Sequence, residues 1–182
     1  MPVIIDIGAL VRPPFTAAEF TATKWDTNED KAKFANDLCR FMAADFKLTL
    51  FTDRSYRRLA NTFGHIAHYD RHGFVAEFFN DLRGKVDFLE QTLSWQPRGD
   101  PAWTYSDVER GVRQRLRACG LLAAYRQRRA AEIEAAERDL LRQLHAKYAD
   151  ARAPATAPVL HCPPPATPSA RGHRAEEQSS LF

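Results

Sequence analysis

Three closely spaced histidines are the residues whose types and spacing best suit chemistry. If the segment GHIAHYDRHG (64–73) is helical, His65, His68 and His72 share one face with Asn61, because residues three and four apart are neighbours on a helix. Imidazoles placed in this way could converge on a metal ion or an anion. The alternative is a polar stripe facing solvent. No HExxH pattern is present and no carboxylate is fixed beside the histidines. We therefore predict no metal, no cofactor and no catalytic residue.

A single aspartate near the start of the chain is the second candidate for metal chemistry. Asp6 lies in VIIDIGAL (3–10), a short β-branched run that we interpret as a strand or extended segment. This opening resembles that of PIN-type nucleases, in which the first metal-binding aspartate follows an apolar strand. The sequence departs from that family afterwards, because Pro13 and Pro14 follow and then mostly helices. A metal-dependent nuclease or related DNA-processing enzyme, using Asp6 and the histidine face, is the alternative to a non-enzymatic role.

Arginines dominate the polar residues after position 105. Between residues 107 and 149 there are ten Lys/Arg and six Asp/Glu, a local excess of four positive charges. Such a surface could neutralise DNA phosphates without reading the sequence. The alternative is a solvated face with Arg–Glu pairs along the helix. The residues predicted to contact DNA are Arg110, Arg113, Arg117, Arg126 and Arg129.

The last seven residues, EEQSSLF, place a leucine and a phenylalanine after a long stretch without large apolar side chains. This ending resembles the pentapeptide with which bacterial replication and repair proteins bind the DNA sliding clamp. Gln178, Ser180, Leu181 and Phe182 match that pattern, whereas Ser179 replaces the common leucine. The resemblance covers five residues. It implies the sliding clamp as a partner and a role in DNA replication, repair or mobile-element maintenance.

The physical chemistry of this pentapeptide is compatible with weak binding. Burial of Leu181 and Phe182 contributes about 1.5–3 kcal/mol each, and the Gln178 amide can donate and accept at once. Ordering the peptide costs about 1–2 kcal/mol per residue. We therefore expect an affinity near micromolar, about −8 kcal/mol. A second contact between the body and DNA or the clamp would raise it through effective concentration.

Composition gives limits rather than a function. The net charge of +3 provides no whole-protein argument for nucleic-acid binding. Three cysteines at wide spacing, with no CxxC, indicate a reducing compartment and no disulfide framework. MPVIIDIGALVRPPF lacks the features of a signal peptide, and no apolar run has transmembrane length. We expect a cytoplasmic protein without a membrane partner.

The elements that would position these residues are helical. Seventeen of the twenty aromatic residues lie between Phe15 and Tyr105, which predicts that residues 1–98 form a mostly helical body. One helical pattern begins at Asn28, a candidate N-cap, and continues with an apolar stripe of Phe34, Leu38 and Phe41/Met42. A second begins at Asp53, with Gly73 as a natural C-terminal stop. Further helices are predicted over 74–82 and 85–93, and FKLTLF (46–51) is either a strand or a loop.

A helical arm is predicted over residues 99–149. Ser106 and Glu109 have the spacing of a capping box, and a break is expected at Cys119–Gly120. Beyond it, a narrow apolar seam suits one partner helix, which could be a second copy of the chain. The seam residues are Ile133, Leu140, Leu144 and Tyr148.

Residues 150–182 carry six of the eleven prolines among Ala, Ser and Thr, which predicts a disordered tail. The fold class expected is mainly α: a small helical body with a short N-terminal extended segment, a long helical arm and this tail. The function expected is that of an accessory or regulatory protein tethered to the sliding clamp. A helical protein–protein interaction module unrelated to DNA is a further alternative.

Overall fold

The computed structural model describes residues 5–60, 62–65 and 70–149. Within these ranges the chain is helical and contains no strand, which confirms the mainly α fold. Two short 3-10 turns, Ala17–Glu19 and Leu48–Leu50, connect the helices. The helices are α1 (Ile7–Val11), α2 (Asn28–Ala43), α3 (Asp53–Ala60), α4 (Arg71–Phe78), α5 (Leu82–Ser94), α6 (Ser106–Cys119) and α7 (Leu121–Ala149).

The first helix replaces the second half of the predicted extended segment. Residues 7 to 10 belong to α1, because the Asp6 carboxylate accepts a hydrogen bond from the backbone N–H of Ala9 at 3.0 Å and caps the helix. Leu10 is fully buried where α1 packs against α2 and α6. The β-branched residues predicted a strand, but the Asp6 cap and the burial of Leu10 stabilise a helix.

Helix α2 forms as the apolar spacing predicts. Thr27, one residue before the expected cap, accepts the N–H of Asp30 and begins the helix. The stripe of Phe34, Leu38 and Phe41 is buried. The helix therefore faces the core with one side along its whole length.

The long helix predicted from Asp53 to Gly73 is two helices. Helix α3 ends at Ala60, and α4 begins at Arg71. The Asp70 carboxylate caps α4 by accepting the N–H of Gly73 at 2.7 Å. Gly73 therefore lies in the first turn of a helix and not at the end of one. FKLTLF is likewise not a strand, since it contains a 3-10 turn.

Helices α4 and α5 approach closely at one glycine. A Cβ atom on Gly84 would lie 2.4 Å from the carbonyl oxygen of Glu77 and 2.9 Å from the carbonyl carbon of Phe78. Both neighbours are backbone atoms, so they cannot move aside as a side chain would. The Asp81 carboxylate caps α5 immediately before this contact, at 2.7 Å from the N–H of Gly84.

Phenylalanines fill the centre of the body. The Phe46 ring makes edge-on contacts with Phe41 and Phe88 at centroid distances of 5.3 and 5.7 Å, and it stacks on Phe79 at 5.4 Å. It also meets Tyr125, in the first turn of α7, at 5.7 Å. Such pairs contribute about 0.5–1.5 kcal/mol each beyond their burial. Phe46 therefore joins α2, α5 and the start of α7.

The packed body extends beyond residue 98. In α6, Val108, Val112 and Leu116 are buried in the same core as the earlier helices. The helix ends at Gly120, which adopts the left-handed conformation (φ 70°), so the break predicted at this position is confirmed. Helix α6 is thus part of the body and not part of an arm.

The capping box predicted for α6 does not form. Tyr105 occupies the position before the helix, and the Ser106 hydroxyl donates to the carbonyl oxygen of Gly99 at 2.9 Å. Glu109 pairs with Arg113 instead of reaching back to the helix start. The spacing was that of a cap, but Ser106 and Glu109 bind Gly99 and Arg113 instead.

Contacts divide the chain into two units, residues 1–141 and 142–182. In the first unit, Leu121, Ala124 and Tyr125 of α7 are buried, and the helix is mostly exposed from Arg126 onward. In the second unit, the described residues 142–149 are helical and exposed. None of the described helices combines the length and the apolarity needed to cross a bilayer.

Candidate functional site

The exposed face of α6 carries two of the five arginines predicted to contact DNA. Arg110 and Arg117 are exposed, and so is Gln114 between them. These positions follow the helical spacing of four and three, so they lie on one face. Among the described residues, Arg110 and Arg117 form no ion pair, which leaves both cations available to an anionic partner.

Arg113 is on the opposite, buried face of α6. Its side chain is 1% exposed and pairs with Glu109 across 3.1 Å, while its Nε donates to the carbonyl oxygen of Thr92. Its guanidinium also lies over the Phe63 ring at 5.4 Å. Burial lowers the pKa of Arg113, and the Glu109 carboxylate opposes that shift. Arg113 therefore holds α6 to α5 and does not reach a phosphate.

The two α7 arginines of the predicted set bind carboxylates of α5. Arg126 Nη2 lies 2.8 Å from Glu90, and Arg129 Nη1 lies 3.9 Å from Asp87. All four side chains are at least a third exposed. Such pairs contribute about 0–1 kcal/mol, so DNA phosphates could displace the carboxylates. The five arginines nevertheless do not form one continuous face.

Trp95, an exposed residue just after α5, was not among the predicted site residues. Trp95 is 57% exposed, and its indole lies against the backbone of Gly64, where a Cβ would come within 3.0–3.1 Å of the ring. Two residues earlier, the carbonyl oxygen of Leu93 is 3.4 Å from Arg117 Nη2. An open indole two residues from this contact with Arg117 suits stacking with a base of single-stranded nucleic acid. The only sequence signal was a tryptophan inside a Pro/Gly connector.

Of the predicted histidine face, His65 and His72 are described, and they do not share a helix. His65 lies in a turn, is 4% exposed and stacks on Phe88 at 4.8 Å, with its Nε2 3.2 Å from the Thr92 hydroxyl. His72 is exposed in α4, and His68 and Asn61 lie outside the described residues. Within 5–60, 62–65 and 70–149, no group of three or more His, Cys, Asp or Glu residues is placed to hold a metal ion.

The remaining candidates for chemistry have structural roles. Asp6 caps α1, and Ile5, the described residue before it, is not in a strand, which reduces the likeness to the PIN-type opening. Cys39 and Cys119 are both buried and free. Burial raises the pKa of the Cys39 thiol to about 12. A thiol that stays protonated is a poor nucleophile.

The apolar seam of α7 is solvent-exposed. In the first unit Ile133 and Leu140 are 50% and 56% exposed. In the second unit Leu144 and Tyr148 are 42% and 60% exposed. Pairing of this seam with another helix or a second copy stays a prediction.

The clamp-binding residues Gln178, Ser180, Leu181 and Phe182 lie outside the described residues. No family model matches the chain, and searches of the curated proteins and of the solved structures returned no significant match.

Proposed function

We propose that this protein is an accessory or regulatory factor that binds the bacterial DNA sliding clamp through residues 178–182. The observation that carries the proposal is QSSLF, whose Gln178, Leu181 and Phe182 occupy the three most characteristic slots of the clamp-binding pentapeptide. Two apolar anchors and one amide provide both affinity and register. The role belongs to DNA replication, repair or mobile-element maintenance.

The body contributes a second, weaker contact with DNA. Arg110 and Arg117 offer two unpaired cations on one face of α6, and Trp95 offers an open indole nearby. Two cations alone bind DNA weakly at physiological salt. A clamp encircles DNA, so binding to it would raise the effective DNA concentration near this face.

Clamp binding is tested with the full chain and a purified bacterial sliding clamp, by fluorescence anisotropy. We expect near-micromolar affinity, and a loss of more than about 100-fold for Leu181→Ala/Phe182→Ala, because both anchors lose their buried surface. Ser179→Leu is the matched gain-of-binding control. It restores the common residue of the pentapeptide and should tighten binding several-fold. If the intact chain does not bind, or if Leu181→Ala/Phe182→Ala binds equally well, the proposal fails.

The DNA contact is tested by charge reversal on α6. Arg110→Glu/Arg117→Glu should weaken DNA binding at low salt by about 10-fold or more and reduce the slope of log K against log salt by about 1.4 for a single strand. The control Arg57→Glu/Arg83→Glu makes the same change in net charge at exposed positions of α3 and α5. If the two double variants weaken DNA binding equally, the effect is due to net charge and not to the α6 surface. If Arg110→Glu/Arg117→Glu does not change DNA binding, an interaction module unrelated to DNA is favoured.

A further inference from the structure

A cavity between α2, the 3-10 turn at Leu48–Leu50 and α3 is unrelated to the clamp motif and to the α6 surface. Its volume is about 320 Å³, at the lower end of the range of small-molecule sites, about 300–1,000 Å³. Four cationic side chains and one carboxylate line it. The carboxylates of Asp26 and Asp30 pair with two of these cations from outside the lining, so the whole cluster keeps a local excess of one positive charge. The charged residues are Lys33, Asp37, Arg40, Arg54 and Arg58.

The lone carboxylate in this wall is shared. Asp37 accepts from Lys33 Nζ at 2.6 Å and from Arg40 Nη2 at 2.7 Å. The two cationic side chains are 64% and 63% exposed. Exposed ion pairs are weak, so either cation could turn from Asp37 to a bound anion without loss of the fold.

The opposite wall is more rigid. The Arg58 side chain is 13% exposed and is held by an ion pair with Asp26, and its Nη1 donates to the carbonyl oxygen of Asp30 at 3.1 Å. Its guanidinium also lies 6.0 Å from the centroid of the Phe34 ring. Arg54 stands beside it, 64% exposed, with Nη2 2.6 Å from Asp30. The cavity thus has one fixed guanidinium and three adjustable cations around it.

Hydroxyl groups and apolar surface complete the lining. The Thr52 and Ser55 hydroxyl oxygens lie 2.8 Å apart, and the Thr52 oxygen also accepts the N–H of Ser55 at 3.1 Å. Hydroxyls next to guanidinium groups are suitable donors to phosphate oxygens. Phe34 and the 43% exposed Leu50 add apolar surface to the same lining. A ligand that fits both parts has a multiply charged end and an apolar body.

We infer that this cavity binds a small organic phosphate monoester with a flat or apolar body, of about mononucleotide size. A phosphate monoester carries close to two negative charges at neutral pH, and the exposed cations Lys33, Arg40 and Arg54 can turn to them from their carboxylate partners. Guanidinium groups match its oxygens with paired donors. A monocarboxylate offers two oxygens to these donors, whereas a phosphate offers three. The inference does not depend on clamp or DNA binding.

The test is isothermal titration calorimetry of the full chain with four probes: AMP, adenosine, glucose 6-phosphate and inorganic phosphate. We expect AMP to bind most tightly, because adenosine lacks the charge and the other two lack the apolar body. Arg40→Gln/Arg54→Gln should weaken AMP binding by more than about 10-fold, since two charge-assisted donor groups are removed. Both side chains are exposed, so the fold should persist, which circular dichroism checks.

The control Arg57→Gln/Arg83→Gln removes two exposed arginines outside the cavity and should leave AMP affinity unchanged. Absence of AMP binding overturns the inference, and so does equal binding of AMP and adenosine. Equal binding of AMP and inorganic phosphate overturns the assignment of an organic ligand. Removal of residues 178–182 should not alter AMP binding, so a failure here and a failure of clamp binding are separately visible.

Discussion

Replacement of Lys31 by methionine is expected to destabilise the protein by about 3–5 kcal/mol. Lys31 is fully buried, and its ammonium group donates to the carbonyl oxygens of Pro101 and Thr104 at 2.8 Å each. It also pairs with Asp107 at 3.1 Å, and that carboxylate is only 9% exposed. Methionine would fill much of the volume but leave the two carbonyl oxygens and the Asp107 carboxylate without their ammonium donor.

This cluster determines where α6 begins. Lys31 in α2 holds the loop before α6 by two carbonyl groups and the first turn of α6 by Asp107. The other oxygen of Asp107 accepts the N–H of Thr21 at 2.9 Å. Loss of the ammonium group therefore loosens three segments together. A large decrease in the free energy of unfolding is expected for this reason.

The measurement is urea unfolding followed by circular dichroism, with Lys33→Met as the matched control. Lys33 lies two residues along the same helix, is 64% exposed and pairs with Asp37. Its replacement should cost about 0.3–0.5 kcal/mol. A double-mutant cycle of Lys31→Met with Asp107→Asn should give a coupling energy well above that of Lys33 with Asp37. Equal losses for the two lysines would contradict the buried role of Lys31.

Acidification is expected to destabilise the protein through His65, by about 3 kcal/mol between pH 6.5 and pH 4. Burial lowers the pKa of His65 from 6.5 to about 4; the nearby Gln91 side chain opposes the shift and the Arg113 cation adds to it. In this window the unfolded chain binds a proton that the folded chain does not. Stability is therefore complete above pH 6.5 and decreases as the pH falls towards 4.

The variant His65→Gln should lose most of this dependence of stability on pH, even if it is less stable than wild type at neutral pH. The measurement compares the free energy of unfolding at about pH 7 and about pH 4.5 in wild type and variant. His72→Gln, at an exposed position, should keep the wild-type dependence. Burial raises the pKa of Glu109, so protonation of Glu109 stabilises the folded chain as the pH falls. The informative quantity is therefore the difference in pH dependence of the free energy of unfolding between wild type and His65→Gln. An identical pH dependence in both would refute the assignment.

The sequence located most helices but placed several of their ends wrongly. The stripe of Phe34, Leu38 and Phe41 predicted α2, and Gly120 predicted the break before α7, because both signals are local. The predicted helix from Asp53 to Gly73 failed because Asp70 caps a new helix at that point. The box of Ser106 and Glu109 failed because Ser106 donates to Gly99 in the preceding loop and Glu109 pairs with Arg113.

Spacing along the sequence also grouped some candidate site residues wrongly. Regular spacing grouped His65 with His72 and Arg113 with Arg110, but spacing defines only neighbours along one helix. The structure places His65 and Arg113 among buried groups of α5 and leaves His72 and Arg110 exposed. The cationic cavity could not be predicted, because its residues come from two helices and the turn between them.

The sequence by itself determined the helical class, the length of α7 and the clamp-like pentapeptide, since composition, periodicity and a five-residue motif act over short distances. The tertiary structure decided which charges are buried. Lys31, Arg113 and His65 look like ordinary polar residues in the sequence, yet each is at most 4% exposed. Burial depends on which helices pack together, and the cost of removing a charge from water is repaid only by partners that are distant along the chain.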